Sequence, residues 1–391
     1  MSIDDLKARV AAFVDTDAPE LIDLSLRIHA EHELGHQEFK SSQYLVDYLR
    51  KHGFAVETGT AGLPTAFKAM AGGKSPRPLI AFLAEYDALP EVGHACGHNI
   101  IGTSAAGAGA ALASLGETLP GSTWVLGTPA EETSGGKVTM VNQGIFNSVD
   151  AVLMDHPTSG DNRMGGTSLA THGFTIQYHG KPSHAAASPT EGINALDAAS
   201  IFLHAMALLR QHVPTDVRLH GIITKGGDAA NIIPDFCEIR YLARAEKRST
   251  LNVVVEKIRG CIHAGAAATG CTAEVQDRKG YEPCRPNTVV SGVLRGNMEA
   301  VGYPPRPGLS GARGSTDLGN VSRVCPQACA NVSIAPTSVA GHSREMAQAA
   351  ASPEGHRGLV AVTKALAWSA IDLMCRPGVL EAAWEEFRRP E

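Results

Sequence analysis

Three short apolar runs, at residues 78–84, 122–128 and 151–154, are bounded by Gly and Pro, and each leads straight into ionisable side chains. Helical patterns lie between and after them. Strands alternating with helices build a largely parallel sheet covered on both faces, and such sheets bind ligands beyond the carboxyl ends of their strands. The pattern therefore predicts an α/β fold with its chemistry at three strand ends. Glu85, Asp87, Cys96 and His98 follow the first run, Glu131 and Glu132 the second, and Asp155 and His156 the third.

The first of these ends is the densest. In Ala84-Glu-Tyr-Asp-Ala-Leu-Pro-Glu-Val-Gly-His-Ala-Cys-Gly-His-Asn99, Cys96 and His98 alternate around a glycine and can turn toward one point. Thiolate and imidazole suit zinc and similar metals, and Asp87 can orient a ligand from behind. Adjacent Glu131 and Glu132 divide naturally into a metal ligand and a general base. With His156 and the distant His342, the donors suffice for two metal ions sharing a bridging group, an arrangement that activates water and clamps the oxygens of a hydrolytic transition state.

A competing motif stands upstream. His32-Glu-Leu-Gly-His36 matches the string by which single-zinc proteases bind metal from one unbroken helix. Here Gly35 sits inside the string, and Gly weakens a helix interior by about 1 kcal/mol relative to Ala. Residues 39–49 begin a fresh helical pattern, so the segment is expected to join two helices, with His29, His32 and His36 serving the fold and His94 supporting the site without ligating. Before it, apolar spacing from Leu6 to Ile28 reads as one interrupted helix or two short ones, broken near Asp15–Pro19.

From about residue 170 the texture changes to strand, helix, strand, strand, helix, strand without parallel-sheet turns, which predicts a two-layer α+β unit. The expected division is a catalytic domain of residues 1–170 and 286–391, interrupted by an inserted lid or dimerisation domain of residues 171–285. In the insert, strands are expected at 174–178, 217–224, 232–243 and 271–275, and the catalytic domain is expected to close with a long helix at 354–374.

Lys+Arg 34 against Asp+Glu 40, a net charge of −6 and no basic block exclude a nucleic-acid partner. The amino terminus lacks the basic-then-apolar order of a secretion signal, and no apolar run approaches a membrane span, so a cytoplasmic protein without membrane contact is expected. The eight cysteines are scattered, and Cys325 and Cys329 have no second pair with which to complete a thiolate site. They are read as structural.

Seven separated pieces, in order, carry a resemblance: His29-Ala-Glu-His-Glu-Leu-Gly35 with Glu38, Asp87-Ala-Leu-Pro90, His94-Ala-Cys-Gly-His98, Pro129-Ala-Glu-Glu132, Gly180-Lys-Pro-Ser-His-Ala-Ala186, Asn231-Ile-Ile-Pro234 and His342-Ser343. Together they resemble the di-metal amidohydrolases and peptidases that include aminoacylase and carnosine dipeptidases, in the branch of hippurate, auxin-conjugate and aminobenzoyl-glutamate hydrolases. By this resemblance Cys96 bridges two divalent ions, His98 and His156 complete one site, and Glu132 and His342 the other. Glu131 is then the general base and Asp87 the orienting carboxylate. His184 stabilises the developing oxyanion, commonly from the partner subunit of a homodimer formed through the inserted domain, and Asn231 and Arg244 hold the substrate's free carboxylate. Zinc or manganese, with nickel and cobalt as alternatives, suits the donor set.

The implied reaction is hydrolysis of an amide bond between an acyl or aminoacyl group and an amino acid with a free carboxylate. Glu85 and Asn99 stand where hippurate-hydrolase relatives carry Asp, which moves the chain toward the aminobenzoyl-glutamate and basic-dipeptide hydrolases and closest to the former. Alternatives on the same scaffold are dipeptide cleavage and removal of an aryl amino group. An alternative of another class is a metal- or ligand-binding relative without catalysis.

Overall fold

A computed structural model describes residues 1–311 and 314–390 of the chain. It has eleven strands: β1 (Ala55–Thr58), β2 (Phe67–Ala71), β3 (Leu79–Ala84), β4 (Ser122–Gly127), β5 (Ala151–Ser159), β6 (Arg163–Met164), β7 (Ala170–His179), β8 (Arg218–Lys225), β9 (Phe236–Ala245), β10 (Thr272–Lys279) and β11 (Gln327–Ala335) among the described residues. Two compact units contain them. One comprises Met1–Thr167, Cys284–Gly311 and the chain from Asp317, and the other comprises Ser168–Pro283 with residues 314–316.

The larger unit holds a seven-stranded sheet in the order β1-β2-β4-β3-β5-β11-β6. Its centre is parallel, β4 with β3, β3 with β5 and β5 with β11, while β1, β2 and β6 pair antiparallel at the margins. All six residues of β3 are buried, as a central strand covered on both faces requires. Helices Ile3–Glu31, His98–Ala113, Thr288–Ala300 and Pro353–Cys375 cover one face around Leu21, Ile100 and Leu366, while Leu83, Leu126, Met140 and Val152 fill a separate core on the other.

Small residues bring the helix after β3 close to the sheet. Fifteen of its residues are buried, His98 to Leu112, and a Cβ on Gly109 would stand 2.4 Å from Val125 Cγ2. Pro353–Cys375 is the one helix among the described residues long and apolar enough to cross a membrane, and 72% of its most apolar window is buried inside the protein. It is therefore a core helix.

Two helices of this unit differ from the sequence expectation. Ile3–Glu31 is one continuous helix with Pro19 inside it. The proline removes one internal hydrogen bond, but Val10, Val14, Leu21, Leu24 and Ile28 form a single buried stripe across it, and packing outweighs the local break. A helix at Val379–Arg388, absent from the expectation, follows the closing helix.

The smaller unit is an antiparallel sheet in the order β10-β7-β9-β8, packed by helices Ala195–Leu209 and Arg248–Thr269 around Phe174, Ile176, Phe202, Ile239 and Ile258. β9 starts at Phe236 rather than at residue 232, because Pro234 has no N–H to give to a ladder. The preceding segment is a loop tied to the turn after β7 by Ala185 N–H to the Asn231 carbonyl, at 3.0 Å.

Candidate metal centre and active site

Gly97 sets the geometry at the end of β3. Its φ is +76°, and a Cβ there would lie 2.6 Å from Pro157 Cγ, so a side chain is excluded both by backbone conformation and by the neighbouring strand end. That turn lets Cys96 and His98 face the same side. His98 Nδ1 donates to the Asp87 carbonyl at 2.8 Å and lies 3.0 Å from Asp87 Oδ1. Because a carbonyl only accepts, Nδ1 carries the proton and Nε2 keeps its lone pair.

Asp87 serves a second partner as well. Its Oδ2 accepts from the Glu132 backbone N–H at 3.0 Å, so one buried carboxylate ties the loop after β3 to the loop after β4. Burial opposes its charge, but His98 and these hydrogen bonds outweigh it and hold the carboxyl below its usual range.

The Glu131–Glu132 loop is braced from the other side by the segment that contains the protease-like string. Ala130 has φ +61°, and its N–H donates to Glu38 Oε1 at 2.8 Å, while Thr65 donates to Glu38 Oε2 at 2.8 Å. A Cβ on Gly35 would stand 2.4 Å from Thr133 Oγ1 and 3.0 Å from Ala130 Cα, and His36 Nε2 pairs with Ser134. His32 ends the first helix in the left-handed conformation and its ring sits beside those of His29 and His94. The two histidines of the string thus lie outside any shared helix and serve the fold. His94 is buried and bonded to the Ile28 carbonyl at 3.0 Å.

The remaining predicted ligands converge. His156, near the end of β5, has Nδ1 on the Pro157 carbonyl at 2.7 Å, which leaves Nε2 for another partner. The donor atoms of Cys96, His98 and His156 lie within 4.8 Å of one another, as do those of Cys96, Glu132 and His342. His342 stands in the loop after β11 at φ +57°, its Nε2 3.8 Å from Glu132 Oε1. Two triads therefore share the Cys96 sulfur. A third set, His98, Glu131 and Glu132, brings Glu131 to their edge.

This donor set fits a pair of divalent ions. His98 Nε2 and Glu132 Oε1 are buried without a hydrogen-bond partner, a costly state for polar atoms unless a cation supplies one. Burial pushes the Cys96 thiol up to about 12, despite His98 beside it, so the thiolate that soft metals prefer needs a positive partner. Imidazole, thiolate and carboxylate together suit zinc and its neighbours.

Three predicted residues lie in the smaller unit. His184 is exposed, and its Nδ1 accepts from the Ala186 and Ala187 N–H groups at 3.3 and 3.2 Å, which makes Nε2–H an outward donor. It bridges to Ile232, so Asn231 is its neighbour. Arg244 is elsewhere. It pairs with Thr171 at the start of β7, whereas Phe236, next to the Asn231 loop, pairs with His179 at the end. Eight residues at ~3.3 Å each separate the two positions by about 26 Å. Within one unit, therefore, Asn231 and Arg244 stand far apart. Arg244 Nη1 donates to Ser315 at 3.2 Å, its Nε is buried without a partner, and burial lowers its pKa.

Sequence reasoning missed Glu38 as a brace, and also a buried cluster behind Glu131. Lys137, Glu85 and Asp317 are fully or almost fully buried and ion-paired. The only signal was the surplus of carboxylates, which demanded a cation somewhere near Glu85.

Comparison with known proteins agrees with this geometry. The chain is 39% identical to Xaa-Arg dipeptidase of Mus musculus over 399 residues, covering 98% of this chain and 92% of that protein. It is 30% identical over 311 residues to a p-aminobenzoyl-glutamate hydrolase component of Escherichia coli, with 74% and 64% covered. The leaning toward the aminobenzoyl-glutamate side is corrected by these figures, since the dipeptidase matches more of the chain at higher identity. A crystal structure of a dinuclear metal-binding peptidase of the M20 family from Bacillus subtilis shares the fold, with a TM-score of 0.69 at 20% identity, covering 92% of this chain and 99% of that one. The profile of peptidase family M20/M25/M40 matches residues 81–364, and the chain belongs to that family of metal-dependent hydrolases of amide and peptide bonds.

Proposed function

We propose that the chain hydrolyses the peptide bond of small dipeptides with a free terminal carboxylate, and that dipeptides ending in a basic residue are its first substrates to test. The observation that carries this reading is the pair of triads sharing Cys96 with Glu131 at their edge. The specificity rests on similarity to a Xaa-Arg dipeptidase along almost the whole chain.

Cys96, His98 and His156 would hold one ion and Cys96, Glu132 and His342 the other. When bound, the ions supply Lewis-acid activation of water and of the scissile carbonyl. Glu131 takes the proton of the attacking water and returns it to the leaving amine. Burial, with Glu85, Asp317 and Glu132 close by, raises its carboxyl well above the usual range, which favours holding that proton between the two transfers. Asp87 keeps His98 in the tautomer that presents Nε2. His184 offers Nε2–H to the developing oxyanion, and Arg244, with no carboxylate in ion-pair range among the described residues, offers its fork to the substrate's carboxylate.

The distance along β9 supports a homodimer in which one subunit contributes Arg244 and its partner contributes His184 and Asn231. The open edge of β8 is a suitable joint. Ile222 and Ile223 are 65% and 40% exposed there, whereas β10 at the other edge ends in charges.

The test is Glu131→Gln assayed on Xaa-Arg, Xaa-Lys and neutral dipeptides alongside aminobenzoyl-glutamate. The variant should keep its metal and lose about 10²- to 10⁴-fold in kcat, and the wild type should prefer the basic dipeptides. Normal turnover in the variant contradicts the base assignment. A preference for aminobenzoyl-glutamate, which the 30% relative favours, would replace the substrate reading.

A further inference from the structure

Beside the first triad, carboxylate oxygens of Glu85, Glu131 and Asp317 lie within 4.8 Å of one another. Three clustered carboxylates compose a site for a hard divalent cation. The cation here belongs to the chain itself. Lys137 Nζ is 2.6 Å from Asp317 Oδ1, hydrogen-bonded, and 2.5 Å from Glu85 Oε1, close enough for an ion pair though off the hydrogen-bond axis. The Lys137 backbone N–H also donates to Asp317 Oδ2 at 3.0 Å, so main chain and side chain grip the same carboxylate. Lys137 and Asp317 are 0% exposed and Glu85 1%.

Glu131 thus belongs to two sets at once, one with His98 and Glu132 and the other with Glu85 and Asp317. A divalent ion in the second set would take a Glu131 oxygen as a ligand and withdraw it from proton transfer. An ammonium cannot ligate. It offsets part of the cluster's charge, fixes Glu85 and Asp317, and takes no coordination bond from Glu131. Glu85 in turn reaches His98 Nε2 at 3.3 Å, so the position of this cluster also bears on the nearer triad.

We propose that Lys137 is a positioning residue that occupies the place of an additional metal ion among Glu85, Glu131 and Asp317, and so reserves Glu131 for proton transfer. The proposal rests on Glu131 being the base, as set out above. Its metal-exclusion half can be read without any turnover.

The experiment compares wild type, Lys137→Met and Lys137→Arg after equilibration with MnCl2 and gel filtration, with Mn counted per chain by mass spectrometry and kcat and KM measured separately. Lys137→Met should retain one Mn per chain more than wild type and lose on the order of 10²-fold in kcat with KM within about threefold. Lys137→Arg should return to the wild-type Mn count. A folded Lys137→Met with the wild-type Mn count and wild-type kcat overturns the proposal. If that variant does not fold without metal, folding in MnCl2 supports the proposal. Failure in MnCl2 both of this variant and of Lys137→Met/Glu85→Gln, which leaves one fewer uncompensated carboxylate, overturns it. An extra Mn in Lys137→Met together with normal turnover in Glu131→Gln would keep metal exclusion and reject the base assignment, so the two failures are distinguishable.

Discussion

Replacing Asp87 with Asn changes one atom type at the point where the loops after β3 and β4 are tied together. Both neighbours of the carboxylate are donors, His98 Nδ1–H at 3.0 Å from Oδ1 and the Glu132 N–H at 3.0 Å from Oδ2. An amide has one acceptor and one donor, so either orientation keeps one bond and sets N–H against N–H at the other. The loss is one charge-assisted hydrogen bond, about 1.5–3 kcal/mol. Converted at 1.36 kcal/mol per decade, this predicts a weakening of about 10- to 150-fold, which agrees with the ~10- to 100-fold cost of losing a group that orients a metal ligand. The assay is competition with a chromophoric chelator for bound zinc in wild type and Asp87→Asn, with circular dichroism to establish an intact fold. Equal zinc affinity in a folded variant refutes the role given to the carboxylate, because the Asp87 backbone carbonyl would then hold His98 in place by itself.

Arg244→Met should raise KM about 10- to 100-fold for a dipeptide with a free carboxylate and leave its amidated counterpart nearly unchanged, as loss of a charged hydrogen bond implies. Equal effects on both substrates would remove Arg244 from carboxylate recognition. Asp372 joins helix Ile3–Glu31 to helix Pro353–Cys375 through Lys7 at 2.6 Å, and it also accepts from Asn297 at 2.8 Å and Arg376 at 2.7 Å. Burial opposes its charge, but these three donors outweigh it and lower its pKa, so its stabilisation is present above the unfolded carboxyl pKa and is lost as pH falls through the folded value. Asp372→Asn should therefore cost about 2–3 kcal/mol near neutrality, and its Tm deficit should narrow on titration below pH ~4. A deficit of constant size from pH 7 to the acid limb would show that charge is not the cause.

Much of the site was legible because it follows from local order. A buried strand that runs into Glu, Asp, Cys or His places those groups at one sheet edge whatever the rest of the chain does, and this located Cys96, His98, Glu131, Glu132 and His156. His342 was legible only as a spare donor in a glycine-flanked loop, and its pairing with Glu132 came through the resemblance, since such a histidine has no local pattern pointing to a strand nearly two hundred residues upstream. Long-range register was not legible. Whether Arg244 stands beside Asn231 or at the far end of the sheet depends on the pairing of β7 with β9, which alternation in either strand leaves open. Pro19 misled for the opposite reason, because its local penalty is real but smaller than the burial of the stripe on either side of it. Lys137 was invisible because buried lysines carry no periodic signature and reveal themselves only by their partners.

The sulfur common to both triads has a consequence for how the enzyme can be switched off. On the proposed assignment, damage to His156 or His342 touches one ion each, but a single oxidation or alkylation of residue 96 removes a ligand from both. Poisoning at that one thiol would then weaken both ions at once, whereas loss of an outer ligand would weaken only one.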